Sequence, residues 1–420
     1  METLIKSARI IDKNSPYHNK TVDVLVSNGK IKKIGKIDTD KARVIDAQGM
    51  ILSIGWFDMR ANFCDPGLEH KEDLASGIAA AASGGFTGVA VLPNTKPVLQ
   101  SKNDIKYIYS RSAGALVDVY PMGAVTKDAK GEDFTEMIDL REAGAVAFTD
   151  GEQPIWQSDI LLKSLQYLKK FDGLLINKPE DKRLNLFGQM NEGLNSTRLG
   201  MKGMPKLAEE LMVSRDISLL EYAGGKLHLS LLSTSKSVAK IKEAKKKGLQ
   251  ISCDVSAFQA LLEDSKLDTF DTNYKVNPPL REKEDNNAII KGLVDGTIDV
   301  IVSAHTPHDE EAKKLEFDLA DFGIISLQTV APNLVELSKR VDIELLIEKV
   351  TYAPRRLLGL EAPRLEEGAN ANLTLLAPDK LWMFDQTTNK SKSIYSPFFG
   401  TTLKGKIAAV FNNSLMETYE

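Results

Sequence analysis

Apolar residues fall in short blocks broken by charge at both ends of the chain, and in longer blocks between them. Near the N-terminus, LIKSARIID, VDVLVSNGKIKKIG and ARVIDAQGMIL read as short strands. Asn28-Gly29 lies between two such runs and predicts a hairpin turn. NLTLLAP, LWMF and GKIAAVFNN repeat this character near the C-terminus. Neither end is long enough for an independent β domain. Residues 1–50 and 366–420 are therefore expected to form one small composite sheet.

Over residues 51–365 the pattern becomes strand, then helix, repeated. The strand-length runs are SIGWFDMRA, TGVAVLPN, VDVYPMGAV, GAVAFTD, GLLINK, KLHLSLLS, LQISCDVS and DVIVSAH. Helical periodicity appears in EDLASGIAAAAS, SDILLKSLQYLKKF, MPKLAEELMVSRDISLLEYA and SVAKIKEAKKKG, and Gly84-Gly85 marks a helix end. Eight strands alternating with helices predict a (β/α)8 TIM barrel rather than an open doubly wound sheet. No GxGxxG or Walker lysine loop follows any strand, which argues against nucleotide binding.

The composition fits one large globular core: 420 residues, 42% hydrophobic and 27% charged. A net charge of −4 with interspersed signs gives no footprint for nucleic acid, and the lysines between Lys240 and Lys247 read as a solvated helix face. Two cysteines, Cys64 and Cys253, fit a reducing cytoplasm. METLIKSARI lacks the apolar core of a signal peptide, and no run is long enough to span a membrane. The expected location is cytoplasmic.

In such barrels chemistry sits at the C-terminal ends of the strands. Those ends carry Arg60 and Asn62, Asn94, Asp150, Lys178, Ser230 and Leu231, Ser256, and Ala304 with His305 and His308. Arg60 has no free lone pair and Asn62 is a weak ligand, so this is a poor metal or base set. Plainer readings stand beside each candidate. His228 lies in an apolar strand and reads as a hydrogen-bonded core residue. His18 and His70 read as surface residues, and Cys64 as an inert, half-buried thiol. Asn94 and Asn277 adjoin prolines and suit backbone capping.

At LPNTKP, NPPLR and AHTPH the chain resembles dihydroorotases of the cyclic amidohydrolase family, in their long form. KEDLASGIAAAASGGFTGVAVLPNTKP, LHLSLLSTSKSV, NYKVNPPLREKED, GLVDGTIDVIVSAHTPH, DFGIISLQT and SPFFGTTLKGKI extend the likeness over nearly the whole chain. The resemblance implies a (β/α)8 barrel with a small sheet from both chain ends. It also implies hydrolysis of a cyclic amide by zinc-activated hydroxide.

The metal ligands that the family pattern calls for are mostly absent. Its HxH pair is Arg60 and Asn62 here, and the His before Glu180-Asp181 is Lys178. The second His of HxxHxST is Leu231, although His228 holds the first place. The Asp before HAPH is Ala304, and only Asp150 keeps a ligand-type side chain. The resemblance assigns substrate contacts to Asn94, Asn277, His308, Phe322 and Gly323, but the carboxylate-binding Arg is Cys64. The expectation is a protein without zinc and catalytically silent, kept as a structural or regulatory partner in pyrimidine biosynthesis. The resemblance suggests aspartate transcarbamoylase as that partner, within a homo-oligomer or hetero-complex. The alternatives are an active cyclic-amide hydrolase with an unusual metal site and a metal-free metabolite binder. With zinc gone, Asp150 is expected to pair with Arg60, Lys178 or both and to close the old cavity.

Overall fold

The computed structural model describes residues 2–419. Its barrel strands are Trp56–Ala61, Phe86–Val91, Asp118–Pro121, Leu174–Asn177, Lys226–Leu229, Ile251–Ser256 and Val300–Val302, and residues 145–149, bridged at Phe148, take the place of the fourth of eight. All neighbouring strands run parallel. The ring closes where Ala61 bridges His305 and the Asn62 N–H donates to the His305 carbonyl at 2.8 Å.

The expected fourth strand, GAVAFTD, differs from the others. It joins the barrel through bridges at Phe148 alone, to Gly123 on one side and Leu175 on the other. The chain then turns at once, because the Thr149 N–H donates to the Gly123 carbonyl, Asp150 accepts from the loop after strand three, and Gly151 adopts a positive φ.

The expected helices form at Leu74–Ser83, Ser158–Leu168, Lys206–Ala223 and Ser235–Lys246. Asp73 caps the first by accepting from the Ser76 N–H. Gly84 ends it against Leu327, whose carbonyl oxygen lies 2.4 Å from where a Cβ would stand, so no larger residue fits. The lysines of Ser235–Lys246 bind Asp295, Asp299 and Glu243, as a solvated face should.

Strands from both chain ends form one sheet in the order Leu415–Thr418, Thr401–Asn412, Leu373–Phe384, Ile51–Ile54, Glu2–Ile10, Thr21–Ser27 and Lys30–Gly35, with Arg43–Asp46 also paired to Glu2–Ile10. Asn28 and Gly29 both take positive φ in the predicted hairpin turn. The sheet takes in Ile51–Ile54, past the boundary at residue 50 read from the pattern. Only Gly55 separates that strand from the first barrel strand, so the site inherits its anchoring from the sheet.

Side chains such as Phe57, Met59, Leu92, Met122 and Ile176 fill the barrel interior, while a larger apolar layer lies between strands and helices. Burying each such side chain contributes about 1.5–3 kcal/mol relative to exposure. No helix among the described residues is long and apolar enough to cross a membrane.

Candidate active site

The first barrel strand sends Asp58 and Arg60 inward, both buried. Asp58 accepts from the Ser303 backbone N–H at 2.9 Å and from the Ser303 hydroxyl, tying strand one to the end of strand eight. Burial raises its pKa to about 7, despite those donors. Above it, the Arg60 guanidinium donates to Glu152 Oε1 at 3.1 Å, to the Gly151 carbonyl and to Ser230 Oγ.

Asp150 turns the other way. Its Oδ1 accepts from the Val125 and Thr126 N–H groups at 3.0 and 2.9 Å, and Oδ2 accepts from Thr126 Oγ1 at 2.5 Å. The expected pairing with Arg60 or Lys178 is not made. The loop after strand three already supplies three donors, so Asp150 has no need of a cation. Its pKa is raised, chiefly by burial, with the donors opposing.

Glu152 takes the cations instead, a residue the family pattern did not single out. Lys178 Nζ lies 3.9 Å from Glu152 Oε2 and 3.4 Å from Glu180 Oε2. Arg60 and Lys178 are only 3% and 4% exposed in their side chains, so both depend on these carboxylates. Burial pushes the Glu152 pKa up, but Arg60 and then Lys178 more than offset it, and the net direction is down. Glu180 is lowered likewise, burial opposed first by Lys178 and then by hydrogen bonds from Asn185 and Asn277. The signal in the sequence was the count of charges. Two cations introduced into one mouth need two anions, and TDGE offers a second acid two positions after Asp150.

A cavity of about 260 Å³ remains at the mouth, rather than the closed core expected. Asn62, Lys178, Leu231, Ala304, Asn277, His308, Phe322 and Gly323 all line it, with Glu152 beside them. Arg60 and Asp150 lie behind this lining. Asn94 also stands behind it, donating to the Asp150 carbonyl and accepting from the Glu152 N–H at 3.0 and 2.9 Å. That is the capping role expected of an Asn beside a proline. Asn277 donates to Glu180 Oε2 at 3.0 Å. His308 Nε2 lies 2.9 Å from the Phe322 carbonyl, and its pKa is lowered by burial and by Lys71. Gly323 passes so close that a Cβ would stand 2.7 Å from the Thr306 carbonyl oxygen.

The remaining histidines are held structurally. His228 lies between Ser252 Oγ at 2.8 Å and Asp254 Oδ2 at 2.9 Å, as a core histidine. His305 Nδ1 accepts from the Ser326 N–H, which places its proton on Nε2, donated to Glu72 at 3.2 Å. Glu72 also accepts from Ser391 and the Lys392 N–H, fastening the C-terminal loop to the mouth. His70 is exposed beside Asp309, and His18 is partly covered beside Glu344. Cys64 is fully buried, not half-buried, and burial raises its thiol to about 12, which leaves it inert.

Zinc requires clustered imidazole, thiolate or carboxylate donors. Among the described residues no three such groups come together. The side chains at the implied ligand addresses are two cations, an amide and two apolar groups, with Asp150 engaged by Thr126. The donor set does not fit the metal.

A family model described as Dihydro-orotase-like matches residues 49–237. The chain is 41% identical over 414 residues to a dihydroorotase of Geotalea daltonii, covering 97% of each. It is 41% identical over 412 residues to a dihydroorotase of Pelotomaculum thermopropionicum, covering 96% of each. Among solved structures, an L-hydantoinase (dihydropyrimidinase) of Arthrobacter aurescens is similar with a TM-score of 0.85 at 22% identity, covering 100% of this chain and 97% of that one. A dihydropyrimidinase of Brevibacillus agri gives 0.82 at 20% identity, covering 99% and 95%. At such identities the structural likeness speaks for the barrel fold alone. The sequence likeness runs almost from end to end, and by it the chain belongs to the dihydroorotase family.

Proposed function

We propose that this chain is a dihydroorotase-family protein of pyrimidine biosynthesis that does not run the zinc-hydroxide reaction and serves as a structural or regulatory partner. Aspartate transcarbamoylase is the proposed partner, and the cytoplasm the proposed location. The observation that carries the reading is the Arg60–Glu152–Lys178–Glu180 network. Its two cations stand at positions where the resemblance calls for neutral imidazoles. A dication placed among them would meet like charge, and its strongest carboxylate would already be engaged. The test is elemental analysis and dihydroorotate hydrolysis on one purified sample, followed by co-purification with aspartate transcarbamoylase. The reading expects no stoichiometric zinc, background turnover and a stable complex.

A second reading is an active cyclic-amide hydrolase with an unusual metal arrangement. It is favoured by 41% identity to proteins named dihydroorotase and by the cavity that keeps Asn277, His308, Phe322 and Gly323 in its lining. Stoichiometric metal with turnover in the same sample would establish it. Thermal stabilisation by dihydroorotate or carbamoyl aspartate, without metal or turnover, would instead point to a metabolite binder.

A further inference from the structure

A buried carboxylate at the seam between the small sheet and the barrel lacks a donor. Asp12 follows the strand Glu2–Ile10 and is only 3% exposed. Its Oδ1 accepts from the Tyr352 hydroxyl at 2.8 Å and from the Asn14 N–H at 3.0 Å. Burial, more than any other cause, pushes the Tyr352 phenol up, so the hydroxyl keeps the proton it donates. Asp12 Oδ2 is buried too, and it accepts no hydrogen bond among the described residues. Such an oxygen is costly to leave unpaired and marks the place of a missing donor.

Asp12 lines two adjoining cavities of about 410 and 320 Å³, which also share Asn14, Tyr352 and Ala362. The larger has the size of a small-molecule site. It is walled by the segment after Glu2–Ile10 and by the helices Ile343–Lys349 and Tyr352–Leu358, and it shares no residue with the lining of the mouth. Ile11, Ile347 and Leu360 give it an apolar side. Most of its charges are already paired. Glu348 meets Lys13 at 3.1 Å, and Glu344 meets Arg9 at 3.1 Å and His18 at 3.2 Å. Asp12 and Arg356 remain. Arg356 is exposed and forms no ion pair among the described residues. It stands one helical turn after Tyr352, and so on the same helix face as the residue that holds Asp12. The smaller cavity has no uncommitted cation, since its Arg364 pairs with Glu366 at 3.5 Å.

A ligand that satisfies both groups carries a donor cation and an anion on one small body. A metal ion does not fit, because among the described residues no three metal-ligating groups gather and the two glutamates are engaged. A simple anion meets the Asp12 charge, and a simple amine meets Arg356. We infer that the larger cavity takes a free aliphatic α-amino acid, its ammonium donating to Asp12 Oδ2, its carboxylate on the Arg356 guanidinium and its side chain against Ile11, Ile347 and Leu360. The inference stands whether or not the barrel mouth hydrolyses anything.

The test is calorimetric titration of the full-length chain with L-leucine, beside isocaproate, which lacks the amine, and isoamylamine, which lacks the carboxylate. L-Leucine should bind saturably, and each analogue at least about tenfold more weakly. Asp12→Asn removes the charge and keeps an oxygen for the Tyr352 hydroxyl, and it should weaken L-leucine by about tenfold or more. Arg356→Glu alters an exposed side chain and leaves Asp12 in place. It should weaken L-leucine likewise and bind isoamylamine in preference to it. Circular dichroism matching the parent checks that each variant is folded. No saturable heat with L-leucine, an analogue that binds as tightly as L-leucine, or a folded variant that keeps the parent's affinity would each overturn the inference.

Discussion

Glu152 Oε1 lies 3.1 Å from Arg60 Nη2, while Asp150, two positions earlier, forms no ion pair with that guanidinium among the described residues. The first prediction follows from this. Removing the Glu152 charge leaves Arg60 without its carboxylate and Lys178 with Glu180 alone, both cations being nearly fully buried. Glu152→Gln should lower unfolding free energy by about 3 kcal/mol, the usual scale for breaking a buried pair. Urea unfolding at pH 7 measures it. A midpoint unchanged from the parent would remove the network as a determinant of the fold.

The second prediction concerns pH. Asp58 titrates at about 7 in the folded chain, above its ordinary value near 3.8. The folded state therefore holds this proton more tightly than the unfolded one. Its contribution is fully present below about pH 4 and is lost as pH rises to about 7. Glu152 and Glu180 run the opposite way, since their pKa values are lowered, and their contribution is lost as pH falls below the ordinary glutamate range. Asp58→Asn should flatten the decline between about pH 4 and 7, and Glu152→Gln should flatten the acid limb. Unfolding midpoints across that range decide both, and a variant with the parent's slope would contradict its assignment.

The third prediction concerns ligand restoration. Leu231→His puts back one imidazole at a residue with φ of 58° whose N–H is bound by Asp254. Lys178, Arg60 and Ala304 would still surround the place. A site needs ligand number and geometry together, so this variant should hold no stoichiometric zinc and hydrolyse no dihydroorotate above background. Metal analysis and an activity assay on the same sample check this, and measurable turnover from the single change would refute it.

The barrel was legible because its strands are apolar runs bounded by turn residues, and Trp56–Ala61 and Ile251–Ser256 fall where the pattern puts them. Residues 145–149 were harder. Their run is as apolar as the others, but its length of pairing depends on how soon the Asp150 turn begins, which is a tertiary matter. The identities at the ligand addresses were plain in the sequence, and the pairing among them was not. Asp150 and Glu152 are alike in charge and only two positions apart in the chain. Which one faces the cations depends on Thr126, a residue 24 positions away from Asp150 in sequence. No local pattern carries that information.

The last prediction separates the two ways of accounting for Asp150. If it balanced Arg60, Asp150→Asn and Asp150→Ala would both strand a buried cation and cost alike. In the structure it instead serves as an acceptor for the Val125 and Thr126 N–H groups, both on buried residues. Burial also raises its pKa, so its charge is a burden on the fold rather than a support. Asp150→Asn keeps a carbonyl oxygen for the two N–H groups, turns an amide toward Thr126 Oγ1 and removes the charge. It should lie within about 1 kcal/mol of the parent. Asp150→Ala deprives both N–H groups of an acceptor in a site closed to water and should cost about 2–3 kcal/mol. Thr126→Val, which removes only the hydroxyl donor, should fall between them. Urea unfolding of the three variants measures the order. Equal losses for Asn and Ala would return Asp150 to the role of counter-ion and undo the account of Glu152 as the residue that replaced it.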